Sequence, residues 1–324
     1  MLGVVLPVLL AGAAFLYPGK GAPTGTSVGG IPPAPAEAQE PPPIDVERIM
    51  RDLSILAHDS MEGRRSGTPG NERARSFLVR EFQTRGVAAL QGRRTQSFPL
   101  TNGNGEPHMG TNVLGIVEGR DYPDRHIVVS AHYDHLGVRE GSVYNGADDN
   151  ASGTAALLAL AAFFVEYPPR HSLLFVAFDA EETGLVGAQA FVSDPPVPLT
   201  EIRLNVNLDM VSRSETAELF AAGTHHYPAL APLVQEVASR AEISLIPGHD
   251  SPDLPSGDDW TYASDHGAFH GANIPFLYFG VEDHPDYHRA SDTFEKIDPE
   301  FYVRAVETIL DFIQVADREL EPRD

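Results

Sequence analysis

Along residues 46–56, apolar side chains recur at Val46, Ile49, Met50, Leu53 and Leu56, a spacing that puts one stripe on one face of a helix. Residues 71–85 repeat that period, with Phe77, Leu78 and Phe82 on one face and Gly86 as the stop. The period then changes. Residues 113–117, 127–131, 173–178, 204–208 and 274–279 are short, largely apolar runs, which suit central strands covered on both faces. Helical spacing returns at 152–165 and 229–241, and it closes the chain at 301–316. Strands alternating with helices predict an α/β three-layer sandwich: a mixed, mostly parallel central sheet with helices on both faces.

The N-terminal region falls outside this pattern. Residues 2–17 are apolar and uncharged, short for a membrane span and the right length for a signal-peptide core. Ala36-Glu37-Ala38 offers a small-x-small cleavage site before Gln39. No basic residue precedes the apolar run and the site lies well beyond it, so an uncleaved membrane anchor stands beside export to the periplasm or medium. Residues 18–43, rich in Pro, Gly and Ala, read as a low-complexity linker. This division leaves residues 44–324 as a single domain.

Composition narrows the chemistry. The chain has 324 residues, 42% hydrophobic and 21% charged, which are globular values. A net charge of −23 repels phosphate backbones and argues against a nucleic-acid partner. With no cysteine, a metal site must be built from His, Asp and Glu, which suits zinc and leaves cobalt or manganese open.

Such residues cluster where predicted strands end, the place where open α/β sheets form their sites. Ala131-His132-Tyr133-Asp134-His135 follows one strand and Phe178-Asp179-Ala180-Glu181-Glu182 another, while Asp209 ends a third in Asn207-Leu208-Asp209-Met210. Asn145-Gly146-Ala147-Asp148-Asp149-Asn150-Ala151-Ser152-Gly153 sets paired acids before a helix, with glycines on each side. An ordinary helix cap needs one acid and no flanking glycines. Adjacent glutamates at a strand end repel, unless one binds metal while the other holds or awaits a proton. A further group is Asp286-Tyr287-His288-Arg289-Ala290-Ser291-Asp292-Thr293.

Taken in order, H-x-D, G-A-D-D-N-A-S-G, E-E, N-L-D-M and Y-H-x-x-x-D-T resemble the co-catalytic di-zinc peptidases of metallopeptidase family twenty-eight. That family includes leucyl-type aminopeptidases, glutamate carboxypeptidases and glutaminyl cyclases. Met61-Glu62-Gly63-Arg64 and Gly67-Thr68-Pro69-Gly70 match its opening, and the stretch between Gln91 and Asn112 is too short for a protease-associated insert. The resemblance implies a zinc-dependent exopeptidase fold for residues 44–324, a peptide substrate and two zinc ions. His132 and Asp209 would hold one ion, Glu182 and His288 the other, and Asp149 both. A cis peptide would follow Asp149. Asp134 would orient His132, Glu181 would be the general base, and Tyr262, Ser264 and Asp265 would line the substrate pocket, with Tyr262 donating to the oxyanion. Residues 249–260 read as a pocket rim, a lid or a plain surface loop, and an aminopeptidase is the leading activity. Arg289 is the one candidate cation for a carboxypeptidase.

Overall fold

The computed structural model describes residues 44–101, 106–255 and 257–320. The signal-like segment and the linker lie outside the described residues. Asp45 caps α1 (Val46–Leu56) through its side chain, and Thr68 followed by Pro69 opens α2 (Pro69–Thr84). Three strands follow, β1 (Thr95–Thr101), β2 (Pro107–Val117) and β3 (Tyr122–His132). A small hairpin of β4 (Gly137–Arg139) and β5 (Ser142–Tyr144) leads to a distorted turn at Ala147–Ser152 and then to α3 (Gly153–Glu166). Next come β6 (His171–Phe178), α4 (Val186–Ser193), β7 (Ile202–Leu208), β8 (Glu218–Ala222) and α5 (Ala231–Ala238). The chain continues through β9 (Ser244–Pro247), α6 (His266–Gly271) and β10 (Phe276–Gly280), and ends in α7 (Pro299–Glu319), capped by Asp298.

Eight strands form one sheet in the order β1-β2-β6-β3-β7-β10-β8-β9. The central four, β6, β3, β7 and β10, are mutually parallel, while β2 and β8 run antiparallel to their central neighbours. Period-two alternation assigns the two faces. Ile127, Val129, Phe175, Ala177, Val206 and Phe279 pack with α1, α2, α3, α5 and α7. Val128, Leu174, Val176 and Phe178 pack against Phe191 of α4 and Phe269 of α6 on the other side. All eight residues of β6 are buried, as a strand covered on both faces requires. This is the three-layer α/β arrangement that the alternating pattern predicts. Among the described residues no helix is long and apolar enough to cross a membrane.

Several elements differ from the sequence reading. The helix expected over 229–241 is shorter, because Pro228–Leu230 forms a 3₁₀ turn and α5 covers only Ala231–Ala238. The last central strand begins at Phe276 rather than residue 274, since Pro275 lacks the N–H of a regular ladder position. β1, β8, β9 and the short helices α4 and α6 were not anticipated.

One buried group gives the fold a pH signature. His266, at the start of α6, is fully buried, and burial pushes its ring down to about 3, although Nε2 still donates to the Trp260 carbonyl at 2.8 Å. The folded value lies below the unfolded one, so the unfolded chain takes up the proton first. This contribution is complete above about pH 6.5 and is lost as pH falls towards 3. His266→Gln is therefore expected to shrink the stability loss between pH 7 and pH 5 by about 2 kcal/mol, read from denaturant melts. Equal losses in the variant and the parent would contradict this assignment.

Candidate metal centre and catalytic cavity

The four parallel strands end side by side, so the residues just past their carboxyl ends share one rim. His132 closes β3, Glu181 and Glu182 follow β6, Asp209 follows β7, and His288 lies in the segment after β10. The turn before α3 brings in Asp149, whose peptide to Asn150 is cis, as the resemblance implies. His132 Nε2 is 3.1 Å from Asp209 Oδ1 and 3.3 Å from Asp149 Oδ1. His288 Nε2 is 3.1 Å from Asp149 Oδ2 and 3.3 Å from Glu182 Oε2. Asp149 thus faces His132 with one oxygen and His288 with the other, and His135 Nδ1 lies 3.7 Å from that second oxygen.

The neighbouring acid is committed elsewhere. Asp148 accepts from Ser212 N and Oγ at 2.8 and 2.7 Å, and its other oxygen lies 3.2 Å from His284 Nε2. Asp292 accepts from the backbone N–H groups of both Asp148 and Asp149 at 3.1 Å, fixing the turn from beneath. Burial, then the charge of Asp148, pushes Asp292 up to about 6. Asn150 completes the frame by donating to Leu208 O and accepting from Gly153 N, both at 2.9 Å. Gly146 is required here. Its φ is +54°, and a Cβ would run into the Asp149 carbonyl and the His135 ring.

Arg64 clamps this turn to the end of β3. It is fully buried and donates only to backbone carbonyls: Nε to Tyr133 at 2.8 Å, Nη1 to Leu56 and Asn145 at 2.7 and 2.6 Å, and Nη2 to Gly146 at 2.9 Å. Burial lowers its guanidinium to about 10, against the pull of Asp149 and Asp292.

The electrostatics are those of crowded, desolvated acids. Burial drives Glu181 well above the usual carboxylate range, eased by His132 and reinforced by Asp209 and Asp265. Burial also acts upward on Asp149, but His135, His132 and His288 outweigh it and hold that carboxyl well below its ordinary value. The donor set fits cations of zinc type. The buried atoms Asp149 Oδ2, Glu182 Oε1 and both His135 nitrogens have no hydrogen-bond partner, and His135 Nδ1 faces Glu182 Oε1 at 2.6 Å without hydrogen-bond alignment. Lone pairs turned towards one another in a dry site are stabilised by a metal ion between them. Two groups have ligand atoms close enough for one ion each: His132, Asp149 and Asp209, and His135, Asp149 and Glu182.

The structure corrects the supporting cast. Asp134 does not hydrogen-bond His132 through its carboxylate, which stands 3.8 Å from Nδ1. The contact comes from the Asp134 carbonyl at 3.2 Å, while the carboxylate accepts from Glu181 N at 3.0 Å. The turn after β3 points that side chain towards the end of β6. Ser264 and Asp265 are fully buried and cannot meet a substrate in the open cavity. Ser264 accepts from Asn207 Nδ2 at 3.0 Å and helps hold Asp209. Asp265 has two unpartnered oxygens, and burial raises it to about 7. Tyr262 is 62% exposed with its ring edge-on to His270, so it does not line the cavity. His135 and Arg64 appear in the quoted motifs, but their roles depend on how the turns fold.

A cavity of about 250 Å³ opens over this cluster. Its lining combines charged groups, Asp149, Glu181, Glu182, Asp209, Asp283 and His288, with the larger side chains Met210, Trp260, Tyr278, Val281 and Tyr287. Of residues 249–260, Trp260 reaches this cavity.

Residues 112–313 match the profile of peptidase family M28. The chain belongs to that family. Membership implies zinc as the metal. A probable zinc metalloprotease of Pyrenophora teres f. teres is 29% identical over 229 residues, covering 64% of this chain and 48% of that protein. Aminopeptidase YwaD of Bacillus subtilis is 34% identical over 204 residues, covering 58% and 41%. The chain thus spans about half the length of the curated relatives it matches. Among solved structures, a Zn-dependent exopeptidase from Parabacteroides distasonis superposes with a TM-score of 0.68 at 21% identity, over 85% of this chain and 99% of that one. The fold is therefore shared with that protein at low sequence identity.

Proposed function

We propose that this M28 chain is a zinc-dependent aminopeptidase that releases N-terminal residues from peptides. The observation that carries the reading is Asp149, set between His132 on one side and His288 and Glu182 on the other, beneath a cavity that Glu181 also lines. In this reading residues 44–324 form one catalytic domain. Two zinc ions would be held here, one by His132 and Asp209 and one by Glu182 and His288, with Asp149 as a ligand common to both. His135 stands against the second set, 2.6 Å from Glu182. When bound, such ions make a water acidic and polarise a carbonyl.

The chain's own groups do the rest. Glu181 takes the proton of the attacking water at a carboxylate oxygen and returns it to the leaving amine. Asp134 fixes the Glu181 backbone by accepting its N–H. The cavity lining carries an excess of carboxylates, which favours a free α-ammonium at the substrate terminus. The apolar run at 2–17 supports export as the setting.

The test compares an aminoacyl para-nitroanilide with an N-blocked dipeptide on the zinc-loaded chain, alongside metal analysis. Cleavage of the anilide and two zinc ions per chain are expected. Cleavage of only the blocked dipeptide would replace the reading with a carboxypeptidase. One tight zinc with cyclisation of N-terminal Gln would replace it with a glutaminyl cyclase.

A further inference from the structure

Trp260 is the single tryptophan of the chain and lines the cavity that the carboxylates also line. Its ring is packed against three other rings. His249 lies flat on the indole, with centroids 3.7 Å apart and planes 8° from parallel. Phe220 meets His249 edge-on at 4.6 Å and Trp260 at 5.6 Å, and Tyr278 meets Trp260 edge-on at 5.8 Å. The imidazole is itself held at both nitrogens, with Nδ1 3.0 Å from the Asp258 carbonyl and Nε2 3.1 Å from a Glu282 carboxylate oxygen. These two contacts fix the orientation of the ring against the indole face. Trp260 N donates to the His249 carbonyl at 2.6 Å, and His249 adopts a φ of +58°, which its side chain resists. Glu282 sits between Val281 and Asp283, both lining the cavity, so the stack ties together two segments that flank it. His249 is not among the lining residues and stands behind the indole.

We infer that Trp260 selects the substrate side chain next to the scissile bond in favour of flat aromatic ones, and that His249 is a positioning residue holding the indole for that contact. The inference rests on the hydrolytic reading above for its kinetic half only. Many of the other lining groups are charged, so a side chain that needs dehydration has Trp260 and the apolar lining residues to meet. A planar ring gains more there than a methyl group does.

The zinc-loaded full chain is assayed on L-phenylalanine and L-alanine para-nitroanilides. Trp260→Ala is expected to lower kcat/KM for the phenylalanine substrate about tenfold, while the alanine substrate changes less than about twofold. His249→Ala shifts the same ratio by about three- to fivefold, mainly through KM, and His249→Phe, which keeps a flat ring against the indole, recovers most of it. Equal losses on both substrates in Trp260→Ala would overturn side-chain selection.

Fluorescence reads the stack without turnover, because one residue supplies all tryptophan emission. His249→Ala removes the ring in face contact with the indole and is expected to change its emission, and unchanged emission would overturn the positioning role. Titrating the parent protein with L-phenylalanine should change emission saturably, whereas L-alanine at the same concentrations should not. Identical responses would overturn the aromatic contact. If neither anilide is cleaved, the hydrolytic reading fails, while these two fluorescence results still decide the inference.

Discussion

Replacing Glu181 with Gln lowers kcat by about 10²–10⁴-fold, the usual contribution of a positioned general base, while KM and zinc content stay close to the parent values. The reasoning starts from where the carboxylate sits. Glu181 lines the cavity, yet its nearest imidazole nitrogen, His132 Nε2, is 4.0 Å away, whereas Asp149, Glu182 and Asp209 all approach an imidazole more closely. It is therefore the acid of the cluster least engaged as a ligand. Its backbone is fixed by Asp134, and burial holds its carboxyl well above the ordinary range, which strengthens it as a base. Glutamine keeps the shape and removes the basic oxygen. Stopped assays with metal analysis on the same sample check the result. Turnover above a tenth of the parent would remove Glu181 from the role, and loss of zinc would make it a ligand instead.

Arg64→Met is expected to produce the largest loss of stability, about 3–5 kcal/mol, because it strips donors from backbone carbonyls in a dry interior. The methionine has similar length and no donors, so the Tyr133, Leu56 and Asn145 carbonyls lose the Arg64 donors, while the Gly146 carbonyl keeps only the Ala151 N–H. The Leu56 carbonyl ends α1, and the other three belong to the segment after β3 and the approach to α3, which present His132, His135 and Asp149. The same substitution should therefore weaken zinc binding, measured by competition with a chromogenic chelator. A change below about 1 kcal/mol in denaturant melts, with unaltered zinc affinity, would mean that the clamp is dispensable.

The sequence pattern shows the centre of this molecule far better than its margins. The four parallel strands carry long apolar runs because both faces are covered, and they were legible for that reason. β1 was not: it lies at the sheet edge, alternates exposed and buried positions and contains Pro99, which a central strand excludes. β9 occupies the opposite edge with four residues, too few to set a period. The site divides along a similar line. His132, Asp149, Glu182, Asp209 and His288 could be named because each sits in a motif, and the structure brings their side chains together. The placement of Ser264, Asp265 and Tyr262 depended on whether a turn faces inward, and adjacent residues there go to opposite fates: Tyr262 to solvent, Ser264 to the core. His135 lies one residue beyond Asp134 and carries no spacing signal of its own, since only the curl of the chain after β3 carries its ring to Glu182.

The grouping of ligand candidates at the ends of separate strands has a consequence for how the protein is made and kept. His132 and His288 are far apart in sequence, and no single segment contributes enough donors to retain an ion. A nascent chain that ends before Glu182 lacks both candidate groups, so capture of a metal would follow pairing of β3 with β6. Once captured, the ion favours only the assembled state, and free zinc concentration becomes a thermodynamic lever on the whole domain. Scarcity of the metal would then be felt first as faster proteolysis of the protein.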